Sequence, residues 1–335
     1  MKISPTSLLV AVSVLILAVA SCSPPTSQGS TQQTPDIPGV QRPKTYQDVI
    51  IGFAQLGAES EWRSANTKSI KETADELGIE LRFYDAQQKQ DNQIKAVRSL
   101  IVQKVDVIGI SPIVETGWEP VFKEAKEAGI PIILVDRRAS VPEDLYKAYL
   151  GSDFMEEGRN AARILAKLVN GKANIVELVG TVDSAPANDR YKGFREVLKD
   201  YPDMKIIDSQ TGDFLRSQGK EVMEGFLKAH GKDITAVFAH NDDMALGAIQ
   251  AIQEYGLNPG VDIKIVSVDA AHGAFEAMIA GALNATVECN PLLGPQFFDL
   301  ALKVINGEDV PKWVPSIESI FYPDNAKEVL PNRKY

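Results

Sequence analysis

The feature that most constrains the fold of this chain is a repeated alternation of short apolar runs with longer amphipathic stretches. Residues 48–54, 105–110 and 130–136 are apolar and rich in β-branched side chains, and residues with helical spacing fill the stretches between such runs. Near-continuous apolar strands separated by helices are buried on both faces, which is typical of parallel sheets. The same alternation returns after residue 150.

The alternation predicts an α/β fold with eight strands and the helices between them. Eight such units fit two doubly wound parallel sheets better than one sheet, with right-handed crossovers placing helices on both faces. A closed barrel of eight strands and eight helices is the alternative that the same pattern allows. The predicted strands are 48–54, 79–85, 105–110, 130–136, 174–180, 204–210, 234–239 and 262–269. The predicted helices are 61–77, 88–104, 115–128, 154–169, 186–200, 217–229 and 242–255.

The N-terminus has the pattern of an export signal. Lys2 precedes an apolar run over residues 8–20, and these 13 residues are too few to span a bilayer as a helix, which takes about 20. The string Val-Ala-Ser-Cys that ends at Cys22 is similar to a bacterial lipobox, in which the cysteine is acylated. We therefore expect a lipoprotein signal peptide over 1–21 and a membrane anchor on Cys22. A simple cleaved signal with an incidental cysteine is the alternative.

The segment after the signal is rich in Ser, Thr, Gln and Pro and lacks apolar periodicity, so we predict a flexible tether over 22–45. If Cys22 is acylated, Cys289 has no partner, because the chain contains two cysteines. The fold is then expected to hold without a disulfide. The predicted location is the periplasmic or extracytoplasmic face of a membrane.

Length and charge narrow the function classes. The 335 residues suffice for two domains with cores of their own, at about 150 residues per domain. The formal net charge is −10. This acidic balance argues against a nucleic-acid partner, whose phosphates favour clustered Lys and Arg.

Polar and aromatic side chains follow the predicted strands, at the edge where open parallel sheets bind ligands. Carboxylates accept hydrogen bonds from hydroxyl groups, and Arg and Asn donate hydrogen bonds in fixed geometry. Aromatic rings offer flat apolar faces. This set suits a polyhydroxylated neutral ligand. The predicted ligand-binding residues are Glu59, Ser60, Trp62, Arg63, Asp85, Ser111, Asp136, Arg137, Asp189, Arg190, Phe214, Asn241 and Asp269.

Each of these residues also has a plain structural explanation. Asn241 is a suitable helix cap, and Trp62 is a suitable core residue. Asp136 and Asp269 would be stable as solvated residues at strand ends. Polar and aromatic residues recur at the carboxyl ends of the predicted strands, and this recurrence favours the interpretation that they bind a ligand.

The chain also resembles a known family in six strings. They are GFAQLGAESEWRSANTKS, DAQQKQDNQIKAVRS, SPIVETGWEPVFKEAK, VELVGTVDSAPANDRYKGF, SQTGDFLRSQGKEVME and AHNDDMALGAIQAI. In these strings, within 49–325, the chain resembles the type I periplasmic sugar-binding proteins of ABC importers and is most similar to the galactofuranose-binding branch. The resemblance implies two lobes joined by three hinge crossovers, with the predicted ligand-binding residues as sugar contacts in the cleft. It places lobe 1 at 46–152 plus 290–318 and lobe 2 at 153–289 plus 319–335.

Particular positions refine what the resemblance implies. Asp136 and Arg137 are similar to the pair that holds the anomeric hydroxyl. Trp62 and Arg63 stand where the ribose branch has two aromatic residues, which favours a larger, more hydroxylated furanose. Cys289 stands where that branch has a Gln, and a thiol is a poor hydrogen-bond partner.

The resemblance implies a monomer that binds a monosaccharide, such as galactofuranose or a related furanose or pentose, and delivers it to an ABC permease. No catalysis, cofactor or metal is expected. A glycosidase using Asp136 and Asp269 is an alternative, although Arg137 would hold Asp136 ionised. A LacI-type regulator would need a helix-turn-helix where this chain has its signal. A ligand-presenting partner of a chemoreceptor or sensor kinase is a third alternative.

Overall fold

The structure is a computed structural model and describes residues 42–335. The predicted signal peptide 1–21, Cys22 and residues 23–41 of the predicted tether lie outside the described residues. Within 42–335, none of the helices combines the length and apolar character needed to cross a membrane.

The described residues form twelve strands and ten α-helices. The strands are β1 (Ile50–Gln55), β2 (Glu80–Asp85), β3 (Val107–Ile110), β4 (Ile132–Val135), β5 (Ala148–Gly151), β6 (Ala173–Val179), β7 (Met204–Thr211), β8 (Ala236–Ala239), β9 (Lys264–Asp269), β10 (Ala285–Glu288), β11 (Trp313–Pro315) and β12 (Ile320–Phe321). The helices are α1 (Glu61–Leu77), α2 (Gln90–Val102), α3 (Glu119–Glu127), α4 (Phe154–Leu168), α5 (Ala185–Leu198), α6 (Arg216–His230), α7 (Asp242–Glu254), α8 (His272–Ile279), α9 (Gly294–Ile305) and α10 (Pro323–Val329).

The strands form two sheets of six, which confirms the two-lobed α/β prediction and shows that the barrel alternative is wrong. The first sheet has the order β11-β5-β4-β3-β1-β2 and all its pairings are parallel. The second has the order β12-β10-β9-β8-β6-β7, and its one antiparallel pairing joins β12 to β10. The direction of winding reverses between β1 and β3 in the first sheet and between β6 and β8 in the second. Open α/β sheets bind ligands at such points.

Helices cover both faces of each sheet, as near-continuous apolar strands require. In the first lobe Phe53 packs edge-on against Phe297 of α9, with 5.3 Å between ring centroids. Trp118 and Phe122 are buried in a separate cluster with α2 and α3. In the second lobe Phe194 stacks on Phe238 at 4.2 Å.

The chain passes between the sheets three times, as the resemblance implied: between β5 and α4, between β10 and α9, and between β11 and β12. The carboxylate of Glu318 joins all three crossovers. Its Oε1 accepts hydrogen bonds from the Ser152 hydroxyl, from Ser316 Oγ at 2.8 Å and from the Asn290 amide at 3.3 Å. The exact lobe limits stated above stay a prediction.

The third predicted helix begins later than the sequence indicated, at Glu119 instead of residue 115. Residues 115–118 form a loop because their hydrogen-bonding groups have partners outside the helix. The Glu115 amide donates to the Asp183 carbonyl at 2.9 Å, and the indole of Trp118 donates to the Val114 carbonyl at 2.6 Å.

Candidate functional site

A cavity of about 280 Å³ lies between the lobes, at the carboxyl ends of the strands of both sheets. Both lobes contribute polar side chains and an aromatic ring to its wall. It is lined by Glu59, Ser60, Trp62, Arg63, Asp136, Arg137, Pro186, Arg190, Phe214, Asn241, Asp269 and Cys289.

A larger surface groove of about 940 Å³ lies at the amino ends of the first-lobe strands. Four of its charged groups form two ion pairs, Lys44 with Asp106 at 2.5 Å and Lys126 with Asp144 at 2.6 Å. The cavity between the lobes is the better candidate site because its polar groups converge from two lobes.

Helix α1 begins at the cavity, and its N-cap fixes the first-lobe wall. Ser60 is the N-cap, and its hydroxyl accepts from the Arg63 amide at 3.1 Å. This start places Trp62 and Arg63 in the wall, with the Arg63 guanidinium carbon 4.5 Å from the centroid of the Trp62 ring. Trp62 is only 4% exposed, so it is both a wall residue and part of the buried core.

Two carboxylates and two guanidinium groups alternate in the first-lobe wall. Arg63 Nη2 lies 2.5 Å from Asp136 Oδ2, and Arg63 Nε lies 3.2 Å from Glu59 Oε1. Arg137 Nη2 donates to the same Glu59 oxygen at 3.3 Å. Glu59 Oε2 and Arg137 Nε are buried without a hydrogen-bond partner, so one acceptor and one donor remain for a ligand.

Burial and charge act differently on the two guanidinium groups of this wall. Burial, together with the neighbouring Arg63 charge, lowers the pKa of Arg137 to about 10, although the carboxylates of Glu59 and Asp136 oppose the shift. Burial also opposes the charge of Arg63, but the adjacent carboxylates of Asp136 and Glu59 outweigh it and raise the pKa of Arg63.

Asp136 occupies a turn that directs its carboxylate off the end of β4. Its φ of 65° is in the left-handed region, which asparagine and aspartate tolerate better than most residues. The turn is held by the Asp136 amide donating to the Leu150 carbonyl at 2.7 Å and by the Tyr149 hydroxyl donating to the Asp136 carbonyl at 2.8 Å.

The second-lobe wall is organised around Arg190 of α5. Its Nε donates to Glu157 Oε2 at 2.7 Å, its Nη1 donates to the His240 carbonyl at 2.7 Å, and its Nη2 lies 3.9 Å from Asp269 Oδ1. Helices α4 and α5 approach closely here because Gly158 has no side chain. A Cβ at that position would lie 2.4 Å from the Arg190 carbonyl oxygen.

Burial dominates the protonation of the two carboxyls beside Arg190, Glu157 and Asp269. It raises the pKa of Glu157 to about 8, although the ion pair with Arg190 opposes the shift. It also raises the pKa of Asp269 well above its ordinary value, again against Arg190 and with a further rise from Asp242. The ion pair with Glu157 raises the pKa of Arg190 despite burial, so the guanidinium stays charged.

Phe214 and Asn241 complete the second-lobe wall. The Phe214 ring centroid lies 5.2 Å from the guanidinium carbon of Arg137, so the ring of one lobe meets a cation of the other. Asn241 Nδ2 donates to the Phe214 carbonyl at 3.1 Å, and its Oδ1 accepts from the Met244 amide at 3.0 Å. Asn241 therefore caps α7 and lines the cavity at the same time.

Three of the predicted ligand-binding residues do not line the cavity. Asp85 is exposed at the end of the edge strand β2, where its Oδ1 accepts from the Gln87 amide at 2.7 Å. Ser111 lies behind the wall and donates to Asp136 Oδ2 at 3.2 Å. Asp189 pairs with Arg138 across the lobes.

Two cavity residues were absent from the predicted set. Pro186 is the second residue of α5, and nothing in the sequence distinguishes it from an ordinary proline at a helix start. Cys289 follows β10, and its thiol lies 3.4 Å from the Ser152 hydroxyl. Its carbonyl accepts a hydrogen bond from the Trp62 indole.

The lobes touch on both sides of the cavity. On one side the Glu61 amide at the start of α1 donates to Asp243 Oδ2 at 2.7 Å. On the other, Asn188 Nδ2 donates to Glu115 Oε2 at 2.7 Å, next to the pair of Arg138 and Asp189. The structure is therefore a closed form, with the cavity enclosed between two rims.

Two parallel-sheet lobes, three crossovers and a polar cavity between strand ends define a two-lobed binding protein. The chain belongs to the family of periplasmic binding proteins, whose domain model matches residues 51–309.

It is 50% identical over 291 residues to the galactofuranose-binding protein YtfQ of Escherichia coli strain K12, covering 85% of this chain and 92% of that protein. A Mycobacterium smegmatis structure in complex with β-D-fucofuranose has a TM-score of 0.84 and 52% identity, covering 86% of this chain and 95% of that one. The periplasmic binding component of the arabinose ABC transporter from Shewanella sp. ANA-3, bound to α- and β-L-arabinofuranose, has a TM-score of 0.83 and 49% identity, covering 85% and 95%.

Proposed function

We propose that this chain captures a furanose sugar, galactofuranose or a related hexose or pentose, in the cavity between its lobes and delivers it to an ABC permease. The observation that carries this proposal is the convergence of carboxylates, guanidinium groups, an amide and two aromatic rings from both lobes on one small cavity. The sugars of the three similar proteins described above, galactofuranose, fucofuranose and arabinofuranose, are all furanoses.

The wall supplies both kinds of hydrogen-bond partner that a sugar needs. Glu59 and Asp136 accept from hydroxyl groups, and Arg137, Arg190 and Asn241 donate to them. The partnerless atoms Glu59 Oε2 and Arg137 Nε gain a hydroxyl partner when sugar binds. Because these groups are buried, a sugar that lacks a matching hydroxyl leaves one of them unpaired, which gives strong discrimination.

Binding proceeds without reaction in this proposal. Asp136 is committed to Arg63 at 2.5 Å, so the wall offers fixed charges instead of a water-activating pair. Recovery of intact sugar from denatured complex supports binding, whereas recovery of a hydrolysed product supports a glycosidase.

Delivery requires that the closed form presents both lobe surfaces to the membrane partner. Sugar favours this form through the contacts that it makes with the second lobe. We place the protein on the extracytoplasmic face of the membrane, as a monomer held by acylated Cys22. Replacing Cys22 with Ser should move the protein from the membrane fraction to the soluble fraction. A role in presenting ligand to a chemoreceptor or sensor kinase uses the same binding chemistry.

A thermal-shift panel tests the proposed ligand class, because a ligand that binds only the folded state raises Tm. The panel contains L-arabinose, D-galactose, D-fucose, D-ribose and D-fructose, with D-glucose as the matched hexose control. We expect Tm to rise with sugars that populate furanose forms and to stay unchanged with glucose. A panel in which none of the five test sugars raises Tm would contradict the proposal.

A further inference from the structure

The last residues of the chain dock beside the second-lobe wall without lining the cavity. Arg333 Nη1 donates to Glu288 Oε1 at 2.8 Å, and Arg333 Nη2 donates to the Ala270 carbonyl at 2.7 Å. The guanidinium carbon lies 5.2 Å from the Phe275 ring centroid and 5.0 Å from that of Phe321. Its side chain is only 10% exposed, so the docking is a buried contact.

The carbonyl that Arg333 binds belongs to a strained turn. Asp269 has a φ of 128° and Ala270 a φ of 59°, so two consecutive residues with side chains occupy the region that favours glycine. Such backbone is maintained only where surrounding contacts hold it. In this case the turn determines where the Asp269 carboxylate enters the cavity.

Other contacts hold the remaining groups of the turn. The Ala270 amide donates to Thr286 Oγ1 at 3.1 Å, the Ala271 amide donates to Asp242 Oδ2 at 2.8 Å, and the Asp269 carbonyl accepts from the Cys289 amide at 3.3 Å. Arg333 adds a charged donor on the Ala270 carbonyl, and charge-assisted hydrogen bonds are about twice as strong as neutral ones.

We infer that Arg333 is a positioning residue for sugar binding, which acts by clamping the Asp269–Ala270 turn from outside the cavity. The inference rests on the proposed function, because it requires Asp269 to contact sugar. It makes the C-terminal segment part of the binding machinery although it lies more than 60 residues away from Asp269 along the chain.

Calorimetric titration of the full chain with L-arabinose and D-galactose tests the inference. Arg333→Met keeps the packing against the aromatic rings and removes the donors, and we expect Kd to rise about tenfold or more. Arg333→Lys keeps the charge and one donor, so it should restore a large part of the affinity. Lys334→Met removes the same charge from an exposed neighbour and should leave Kd within about twofold.

A second comparison separates positioning from general stability. Phe275→Leu disturbs the packing around Arg333 without removing a donor, so it should lower the ligand-free Tm and leave Kd within about twofold. If Arg333→Met does not fold, Arg333→Lys is the test variant, and we expect it to bind sugar more weakly than wild type. Arg333 variants that bind like wild type would overturn the inference and leave the proposed function intact. A wild-type chain that binds neither sugar would overturn both.

Discussion

The indole Nε1 of Trp62 donates a hydrogen bond to the carbonyl oxygen of Cys289 across 2.6 Å. Trp62 belongs to α1 of the first lobe, and Cys289 lies where the chain leaves β10 of the second. Both residues also line the cavity. The side chain whose ring lines the cavity is thus also a hydrogen-bonded link between the lobes.

Replacing Trp62 with Phe should weaken sugar binding. The ring face is retained, but the buried Cys289 carbonyl loses its donor in the closed form, which costs about 1–3 kcal/mol. We expect Kd for L-arabinose to rise about tenfold or more in calorimetric titration. Trp118→Phe is the matched control, because the Trp118 indole donates to Val114 at the same 2.6 Å within the first lobe. Trp118→Phe should lower Tm and leave Kd unchanged. An equal rise in Kd for Trp62→Phe and Trp118→Phe would contradict the role of the Trp62 indole in linking the lobes.

Replacing Asp136 with Asn should disrupt binding through charge and not through backbone geometry. Asn tolerates the left-handed φ of 65°, so the turn is kept while Arg63 loses its anionic partner. The variant loses a charged acceptor for a sugar hydroxyl, which is worth about 1.5–3 kcal/mol and corresponds to a loss of affinity of roughly tenfold or more. Asp144→Asn breaks an exposed pair with Lys126 and should leave Kd unchanged. Wild-type affinity in Asp136→Asn would show that the carboxylate does not hold sugar.

Replacing Gly180 with Ala should push Phe214 out of the cavity wall. A Cβ on Gly180 would lie 2.0 Å from the Phe214 ring, so the ring has to move. We expect a rise in Kd of about tenfold, from a loss of roughly 1–3 kcal/mol of packing. Gly225→Ala is the control, because nothing lies within 4 Å of its added Cβ on α6. Gly225→Ala should have the Kd of wild type and an equal or higher Tm. A Kd for Gly180→Ala equal to that of wild type would exclude a role for the Phe214 ring in binding.

Replacing Asp243 with Asn should favour the open form. The carboxylate reaches across the lobes to the Glu61 amide at the positive end of α1, so its charge stabilises closure. In small-angle scattering we expect sugar to reduce the radius of gyration of the wild type, and to do so for Asp243→Asn only at higher sugar concentration. Glu224→Gln, which breaks an exposed pair within the second lobe, should behave as wild type. No compaction of the wild type at saturation would refute hinge closure.

Replacing Glu177 with Gln should change the pH dependence of stability. Burial opposes ionisation of Glu177, but hydrogen bonds from His240 and Arg195 lower its pKa to about 2 from an ordinary value of 4.5. A carboxyl with a depressed folded pKa stabilises the fold above pH 4.5, and that contribution is lost as pH falls toward 2. A pKa lowered this far corresponds to a stabilisation on the order of 3 kcal/mol at pH 7.

Urea unfolding at pH 7, 4 and 3 measures this effect. Glu177→Gln should be less stable than wild type at pH 7, and the difference should shrink steadily toward pH 3. Glu196→Gln, which breaks an exposed pair with Arg159, should show little difference at any of these pH values. A gap between Glu177→Gln and wild type that stays constant with pH would show that the Glu177 charge is not responsible.

Strand periodicity predicted eight of the twelve strands, because strands such as β3 and β4 are buried along their whole length and appear as continuous apolar runs. It missed the short internal strands β5 and β10 as well as the edge strands β11 and β12. The order of the strands within each sheet could not be predicted from the sequence. Asp85 and Asp136 both follow predicted strands, but β2 is an edge strand and β4 is internal, so only Asp136 reaches the cavity. The short strands β11 and β12 pair with residues far away in sequence and have no periodicity of their own.

The route of the chain also sets the order in which the lobes can be completed. Phe297 and Phe298 of α9 are fully buried in the first-lobe core, yet they follow β10, the last parallel strand of the second lobe. The lobe that starts first therefore cannot finish its interior until its partner's parallel strands have been synthesised. This dependence on distant segments slows folding.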